Sequence, residues 1–121
     1  GKLINSFKVE GTPFTTLEST DGNYWIACGD GHTLIEVNPN DGQIIRRYNE
    51  NDIKGVRLFF TAGLCKSADG NLYICNWQGH SHDANAANSP QLFEINQKGE
   101  VIWSLNDNQT SGMISAVSTI N

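Results

Sequence analysis

The sequence is short of positive charge and has no long apolar run. Its 121 residues include 8 Lys and Arg against 13 Asp and Glu, which gives a formal net charge of −5. The few cations form no cluster, and this argues against a nucleic-acid-binding face and a polybasic membrane contact. No stretch approaches the roughly 20 apolar residues that a spanning helix requires. The composition therefore predicts a soluble globular domain with no nucleic-acid partner and no membrane insertion.

Cysteine pairing and helical periodicity are also missing. The three cysteines, Cys28, Cys65 and Cys75, are an odd number with no C-x-x-C spacing, so the sequence implies no disulfide framework. All three lie in apolar, strand-like runs, which predicts small buried thiols. The tract 49–62 is the only place that the pattern leaves open for a short helix. The remaining pattern predicts an all-β chain.

Internal repetition is the strongest signal in the sequence. Segments that begin at residues 1, 42 and 99 read GKLINSF, GQIIRRY and GEVIWSL. Each has a turn glycine, a polar residue, two aliphatic residues, two mostly polar residues and a large apolar residue. The spacing of these segments is in the range of a four-stranded propeller blade.

Two further segments repeat in step with the glycine segments. Residues 19–28 return as 67–76, each with Asp-Gly-Asn between β-rich runs, and residues 33–38 return as 91–96. Because Gly and Asn tolerate positive φ, Asp-Gly-Asn predicts a tight hairpin. Each unit therefore has four predicted strands. Those of the first unit are 14–20, 23–28, 33–38 and 43–48, and those of the second are 62–68, 71–76, 91–96 and 100–105.

These units predict part of a β-propeller, with an unrelated all-β sandwich as the alternative. Blade one covers 14–48 and blade two covers 62–105. Residues 2–7 would be the outer strand of a preceding blade, and 113–120 the first strand of a following one. Repeat units bury their cores only against neighbours. The chain is therefore expected to be a fragment of a longer protein, completed by its remaining blades, or to self-associate.

The passages 36–46 and 94–103 carry a family resemblance. They resemble the blade signature of PQQ-like (quinoprotein-type) propellers, with Asn38 and Asn96 where that family has Asp, and with its docking Trp only at Trp103. The Asp-Gly-Asn passages are similar to NHL and gluconolactonase-like (SMP-30-like) propellers. The resemblance implies a propeller fold, and it favours a periplasmic or cell-surface location while leaving the compartment open. It implies little about activity, because one fold serves many functions.

The candidate binding residues lie in loops that a propeller would place on one face. All three histidines fall in second-to-third-strand loops, at 29–32 and 77–90, and the second of these is about ten residues longer than the first. Long loops on a rigid scaffold commonly bind ligands. An aromatic residue beside amides suits a sugar ring. The candidate ligand-binding residues are Trp77, Gln78, His80, His82, Asp83, Asn85 and His32.

The sequence leaves two functions open. The favoured function is a binding or scaffold module that recognises a carbohydrate or protein partner on the face bearing loops 29–32 and 77–90. The alternative is a metal-dependent, lactonase-like or other hydrolytic enzyme, with His80, His82 and Asp83 as candidate ligands of a divalent metal. No catalytic residue is assigned and no cofactor is predicted beyond that possible metal. The repeated Glu36 and Glu94 are expected to be structural.

Overall fold

A computed structural model describes residues 1–9, 11–79, 81, 83, 85–106 and 114–120. Within them, eight strands form two four-stranded antiparallel sheets, and each sheet follows chain order. The first sheet contains β1 (Thr15–Glu18), β2 (Tyr24–Ala27), β3 (Leu34–Val37) and β4 (Ile44–Tyr48). The second contains β5 (Phe60–Lys66), β6 (Leu72–Trp77), β7 (Leu92–Ile95) and β8 (Val101–Leu105). The all-β prediction is confirmed, and each strand starts and ends within two residues of its expected bounds.

Tight hairpins at equivalent places begin both sheets. Gly22 and Gly70 adopt positive φ of 84° and 82°, which the Asp-Gly-Asn pattern predicts. The following asparagines reach the third strand: Asn23 Nδ2 donates to Glu36 Oε1 over 3.4 Å, and Asn71 Nδ2 donates to Glu94 Oε1 over 3.1 Å. The repeated Asn and Glu therefore join the first hairpin to the third strand in each sheet. Their role here is structural.

Each sheet has two faces, which we call face A and face B. Cross-strand pairing assigns to face A of the first sheet Leu17, Trp25, Ala27, Leu34, Glu36, Arg46 and Tyr48. The equivalent positions on face A of the second sheet are Cys65, Tyr73, Cys75, Leu92, Glu94, Trp103 and Leu105. Face B carries Ile26, Ile35 and Val37 in the first sheet and Ile74, Phe93 and Ile95 in the second.

The main core lies between face A of the first sheet and face B of the second. Trp25, Ala27 and Leu34 pack there with residues that include Ile74 and Phe93. Most of these side chains are fully buried, and their removal from water is the main term that favours the packed arrangement. Trp25 also stacks on Tyr48 with ring centroids 6.1 Å apart. The tryptophan is therefore part of the contact between the two sheets.

The tract 49–62, which the sequence left open for a short helix, forms turns and the start of β5. Val56 N donates to Ile53 O over 3.0 Å, and Leu58 N donates to Glu50 O over 2.8 Å. Gly55 has a φ of 85°, which right-handed helix does not allow. Ile53, Val56 and Leu58 are buried in the main core, so packing between the sheets decides the path of this tract. One short 3₁₀ turn occurs elsewhere, at Ala86–Asn88.

The segments at the two ends cover sheet faces without forming strands. Residues 2–7 have no strand pairing. The Asn5 amide instead donates to Pro39 O and Asn40 O over 3.0 and 2.9 Å, and Val9 packs on face B of the first sheet. Residues 114–120 likewise carry no strand, and Met113 lies outside the described residues. A β-strand requires a neighbouring strand to which its backbone is hydrogen-bonded. These two segments are held by side-chain contacts instead.

The described residues form two separate sheets and no closed ring of blades. The predicted β-propeller is therefore right only in its coarser part, two consecutive four-stranded antiparallel units. The propeller arrangement was inferred from repeat spacing, which fixes the four-stranded unit and not how successive units are arranged. Among the described residues, no helix has the length and apolar character to span a bilayer.

Candidate functional site

Three loops meet at one end of the two sheets. They are 29–32 after β2, 49–59 between the sheets, and the described residues 77–79, 81 and 83 after β6. Together they enclose a pocket of about 320 Å³, within the size range of small-molecule sites. The pocket is lined by Asp30, His32, Glu50, Arg57, Phe59, Phe60, Trp77, Ser81 and Asp83.

The aromatic wall of the pocket comes from the start of β5 and the end of β6. Phe60 and Trp77 are cross-strand partners, and their rings meet edge-to-face with centroids 5.3 Å apart. Phe14 adds a second edge-to-face contact to Phe60 at 4.9 Å. A further apolar hollow of about 320 Å³ lies beside Phe14, Phe60 and Trp77. The Phe60–Trp77 pair therefore separates a polar pocket from an apolar one.

Gly29 allows the Phe60 ring to lie against the first sheet. Its φ is 47°, and a Cβ there would come within 2.9 Å of the ring. Gly29 N donates to Thr61 O over 3.0 Å, which ties the loop after β2 to β5. A residue with a side chain would both strain the backbone and displace the ring. The glycine thus fixes the distance between loop 29–32 and the aromatic wall.

Arg57 connects two of the three loops through carboxylates. Its Nε donates to Glu50 Oε1 over 2.8 Å, and its Nη1 donates to Asp83 Oδ2. The guanidinium also lies 4.8 Å from the centroid of the Phe59 ring. Hydrogen bonds to Glu50 and then Asp83 raise the pKa of Arg57. Charge and stacking together hold the head group at the rim of the pocket.

Asp83 has both carboxylate oxygens engaged. Its Oδ1 accepts from Asn85 N over 2.8 Å, and its Oδ2 accepts from Arg57. The Asn85 backbone N–H is the largest cause that lowers the pKa of Asp83, and the hydrogen bond from Arg57 is the next. The side chain is therefore an ionised acceptor, with about two of its four acceptor positions in use.

The side chain of Asn76 holds the linker between the two sheets, residues 49–59, in position. It is fully buried at the end of β6. Its Oδ1 accepts from Phe59 N over 2.7 Å, and its Nδ2 donates to Arg57 O and Pro90 O over 2.8 and 3.0 Å. One amide thus satisfies three buried backbone groups and fixes the backbone on either side of Leu58. Arg57 and Phe59 face the pocket from this anchored backbone.

His32 is a turn residue whose ring is also held. Its φ of 55° is in the left-handed region, which is uncommon for residues other than glycine. Its Nδ1 lies 2.5 Å from Phe59 O. Because a carbonyl oxygen only accepts, Nδ1 is the donor in this contact. The bond joins loop 29–32 to the linker.

The structure brings together three of the predicted ligand-binding residues, namely His32, Trp77 and Asp83. Gln78 is instead buried, and its Nε2 donates to Ser89 O over 2.9 Å. Asn85 is exposed, and it acts on Asp83 through its backbone N–H. His80 and His82 lie outside the described residues. Within the described part of the chain, no three His, Cys, Asp or Glu residues cluster as metal ligands would.

The main omission of the sequence interpretation is the linker tract. Glu50, Arg57, Phe59 and Phe60 line the pocket, and none of them is among the predicted ligand-binding residues. A usable signal was present, since Arg57 stands directly before an apolar run that begins at Leu58. Its partner Asp83 is 26 residues away in the chain, and sequence spacing could not pair them.

Solved structures include a close relative of this chain. A crystal structure of a protein of unknown function from Bacteroides caccae is 48% identical to this chain, with a TM-score of 0.84. The match covers 98% of this chain and 43% of that one, so this chain spans less than half the length of the relative. No curated protein matches.

A family assignment corrects the earlier resemblance. The model of the Mal s 1 allergenic protein-like family matches residues 1–100. The resemblance to PQQ-like, NHL and SMP-30-like propellers is therefore wrong. It depended on Asp-Gly-Asn hairpins and glycine turns, and these are requirements of any tight antiparallel meander rather than marks of one family. Because the match spans most of its length, the chain belongs to the Mal s 1 allergenic protein-like family.

Proposed function

We propose that this chain is a binding module whose pocket receives a neutral polyol, such as the ring of a carbohydrate. The observation that carries the proposal is the position of Trp77, whose ring lines the same pocket as the Arg57–Asp83 pair. Sugar rings have apolar C–H faces and a rim of hydroxyls. An aromatic wall beside fixed donors and acceptors matches both parts.

The charges of the pocket disfavour an anionic ligand. Among the described lining residues, Asp30, Glu50 and Asp83 carry carboxylates, and the guanidinium of Arg57 is paired with Glu50 and Asp83. The same groups keep hydrogen-bonding capacity at their exposed edges, since the Arg57 side chain is 44% exposed and that of Asp83 34%. Hydroxyl groups both donate and accept, and they can use such edges without a change of protonation.

The test is an NMR titration of the labelled 121-residue protein with a panel of neutral hexoses and disaccharides. We expect chemical-shift changes at the Trp77 indole and in loops 29–32 and 77–83. Trp77→Ala should remove the saturable response. The matched control is Trp103→Ala, which removes a tryptophan outside the pocket and should leave the response unchanged. Shifts elsewhere, no saturable shift with any sugar, or equal loss in both variants would overturn the proposal.

The metal-dependent hydrolytic alternative has less support, because Asp83 is engaged by Asn85 and Arg57. Zn²⁺ added alone separates the two proposals. Stoichiometric binding that is lost in His80→Ala/His82→Ala would favour the metal site. Zn²⁺ binding that is weak and unaffected by these changes would favour the polyol pocket.

We also infer that the two sheets are consecutive units of a longer repeat array. Both sheets use the same strand order, the same hairpin and the same Asn–Glu bond. More than half of the Bacteroides caccae chain lies outside the matched part, which leaves room for further units in a protein of that length. A protein partner on the pocket face is compatible with this arrangement, since stacked units present their loops along one surface.

A further inference from the structure

The apolar hollow beside the pocket has no part in the function proposed above. Its volume of about 320 Å³ equals that of the pocket, and it is lined by Phe14, Phe60, Ala62, Trp77 and Ser115. None of these described lining residues is charged, and the Ser115 hydroxyl is the one polar side-chain group among them. Phe14 is 60% exposed there. Apolar surface of this kind is stabilised when a ligand removes it from water.

The hollow and the pocket share two aromatic residues. Phe60 and Trp77 line both cavities, and each residue is half-buried, so part of its surface is accessible to a ligand. The two residues are cross-strand partners with ring centroids 5.3 Å apart, and this single pair of rings is the wall between the cavities. A ligand that lies in the pocket against Trp77 therefore has the hollow within reach of its next substituent.

Close contacts hold both rings of this wall in place. A Cβ on Gly79 would come within 2.1 Å of Trp77 Cζ2, so the backbone of Gly79 lies against the indole. The Phe60 ring lies against Gly29 in the same way, and Phe14 meets it edge-to-face with centroids 4.9 Å apart. Side chains that are already ordered lose little conformational freedom when a ligand binds. The wall is therefore preorganised for a ligand that contacts both of its sides.

The size and the lining of the hollow favour a flat aromatic group. An apolar cavity of about 150 Å³ is large enough to bind benzene. The hollow, at about 320 Å³, therefore has room for a single or a fused ring. The rings of Phe14, Phe60 and Trp77 attract another ring through edge-to-face and offset-stacked contacts. An alkyl chain makes neither contact, and it loses the freedom of its own rotatable bonds when it binds.

We propose that the sugar of the pocket belongs to an aryl glycoside, whose aromatic aglycone lies in the apolar hollow. This inference rests on the proposed polyol pocket, and it adds the chemical class of the group that is attached to the sugar. The sugar ring lies against Trp77 on the side of Arg57 and Asp83, and the glycosidic bond crosses the edge of the wall. Because none of the described residues that line the hollow is charged, the aglycone is uncharged.

The test is an NMR titration of the labelled 121-residue protein with glycosides that differ only in the aglycone. The probes are the methyl, n-hexyl and phenyl β-glycosides of glucose, galactose and mannose, and phenol alone. We expect a phenyl glycoside to bind at least about tenfold more tightly than its methyl counterpart, because one ring is removed from water. The n-hexyl glycoside has as many aglycone carbon atoms and should bind more weakly than the phenyl glycoside, as should phenol. With the phenyl glycoside, chemical-shift changes should extend from the pocket to Ala62 and Ser115.

Ser115→Trp should fill the hollow from an exposed position of the chain. We expect it to reduce the affinity for the phenyl glycoside to that for the methyl glycoside, and to leave the affinity for the methyl glycoside unchanged. The matched control is Ser118→Trp, an exposed position of the same segment that does not line the hollow, and it should keep the preference for phenyl.

Three results would overturn the aryl glycoside and leave the sugar pocket standing. They are equal affinities for methyl and phenyl glycosides, n-hexyl binding as tight as phenyl binding, and a phenyl preference that persists in Ser115→Trp. Two other results would overturn the sugar pocket and the aryl glycoside with it. These are no saturable response to any glycoside, and phenol binding as tight as that of the phenyl glycosides. Failure of the inference and failure of the proposed function are therefore distinguishable.

Discussion

At the scale of single residues, the pocket depends on a few positions whose chemistry cannot be exchanged. Gly29 leaves space for Phe60, and Arg57 joins two loops through Glu50 and Asp83. The first acts by the absence of a side chain and the second by a planar fork of donors. The local sequence does not identify either residue as part of the pocket, because the chain has 12 glycines and because surface arginines are usually solvated.

Gly29→Ala should destabilise the protein clearly more than Gly22→Ala. Both positions have positive φ, and an alanine there costs about 1 kcal/mol in backbone strain. At Gly29 the new Cβ also meets the Phe60 ring at 2.9 Å, whereas at Gly22 it meets open space. Overpacking of this kind adds about 1–3 kcal/mol. Urea denaturation of the two variants measures the difference, and equal losses would show that Phe60 moves freely.

The carboxyl of Asp83 should titrate below its ordinary value of 3.8. A pKa lowered by folding means that ionised Asp83 stabilises the fold above the ordinary value, and that this contribution is lost as pH falls through the folded value. In Arg57→Gln the pKa should rise only in part, because the Asn85 N–H is the larger cause. NMR titration of the side-chain carboxyl in both proteins measures this. A wild-type value at or above 3.8 would contradict the assigned contacts.

At the scale of elements, the linker 49–59 contributes both to the core and to the pocket. Its apolar side chains fill the core between the sheets, while Glu50 and Arg57 face the pocket. The buried side-chain amide of Asn76 fixes the position of the linker through hydrogen bonds to the backbone on both sides of Leu58. A disturbance of this amide should therefore affect both stability and the pocket.

Asn76→Ala should lower the free energy of unfolding by about 2–3 kcal/mol, because it leaves buried backbone groups without partners. It should also weaken the sugar response, since Arg57 and Phe59 lose their anchor. Asn23→Ala is the comparison: that side chain is half-buried with one long bond of 3.4 Å, and its loss should cost less than about 1 kcal/mol. Chemical denaturation and the NMR titration report the two effects separately. A stable Asn76→Ala protein with an intact pocket would show that the core alone positions the linker.

At the scale of the whole molecule, the two sheets share one core and should behave as one cooperative unit. Residues of both sheets and of the linker belong to a single buried cluster. Shared burial couples the unfolding of the parts that contribute to it. The sheets repeat in sequence and are nevertheless energetically interdependent.

Leu58→Ala should lower stability by about 2–5 kcal/mol, as expected for a fully buried leucine at a core centre. The transition should remain single, with far-UV circular dichroism and tryptophan fluorescence changing together. Ile45→Ala is the matched control, because Ile45 is 51% exposed and its truncation should change stability by no more than about 0.5 kcal/mol. Two separated transitions in the wild-type protein would mean that each sheet folds alone.

Much of the fold was predictable from the chain because its signals are local. The hairpin at Gly22 and its copy at Gly70 follow from backbone conformations that few other residues tolerate. The path of the linker was not predictable, since Gly55 and the three apolar residues around it take their positions from contacts with both sheets.

The sequence by itself determined the eight strands and their grouping into two equivalent units. Each of these depends on contacts within a single repeat, and such contacts are made by residues that are close together in the chain. Only the tertiary structure decided that Arg57 meets Asp83, that Gln78 is buried, and which face of the second sheet remains exposed. Those outcomes depend on how one unit packs against another, and the energies that decide them come from residues far apart in the chain.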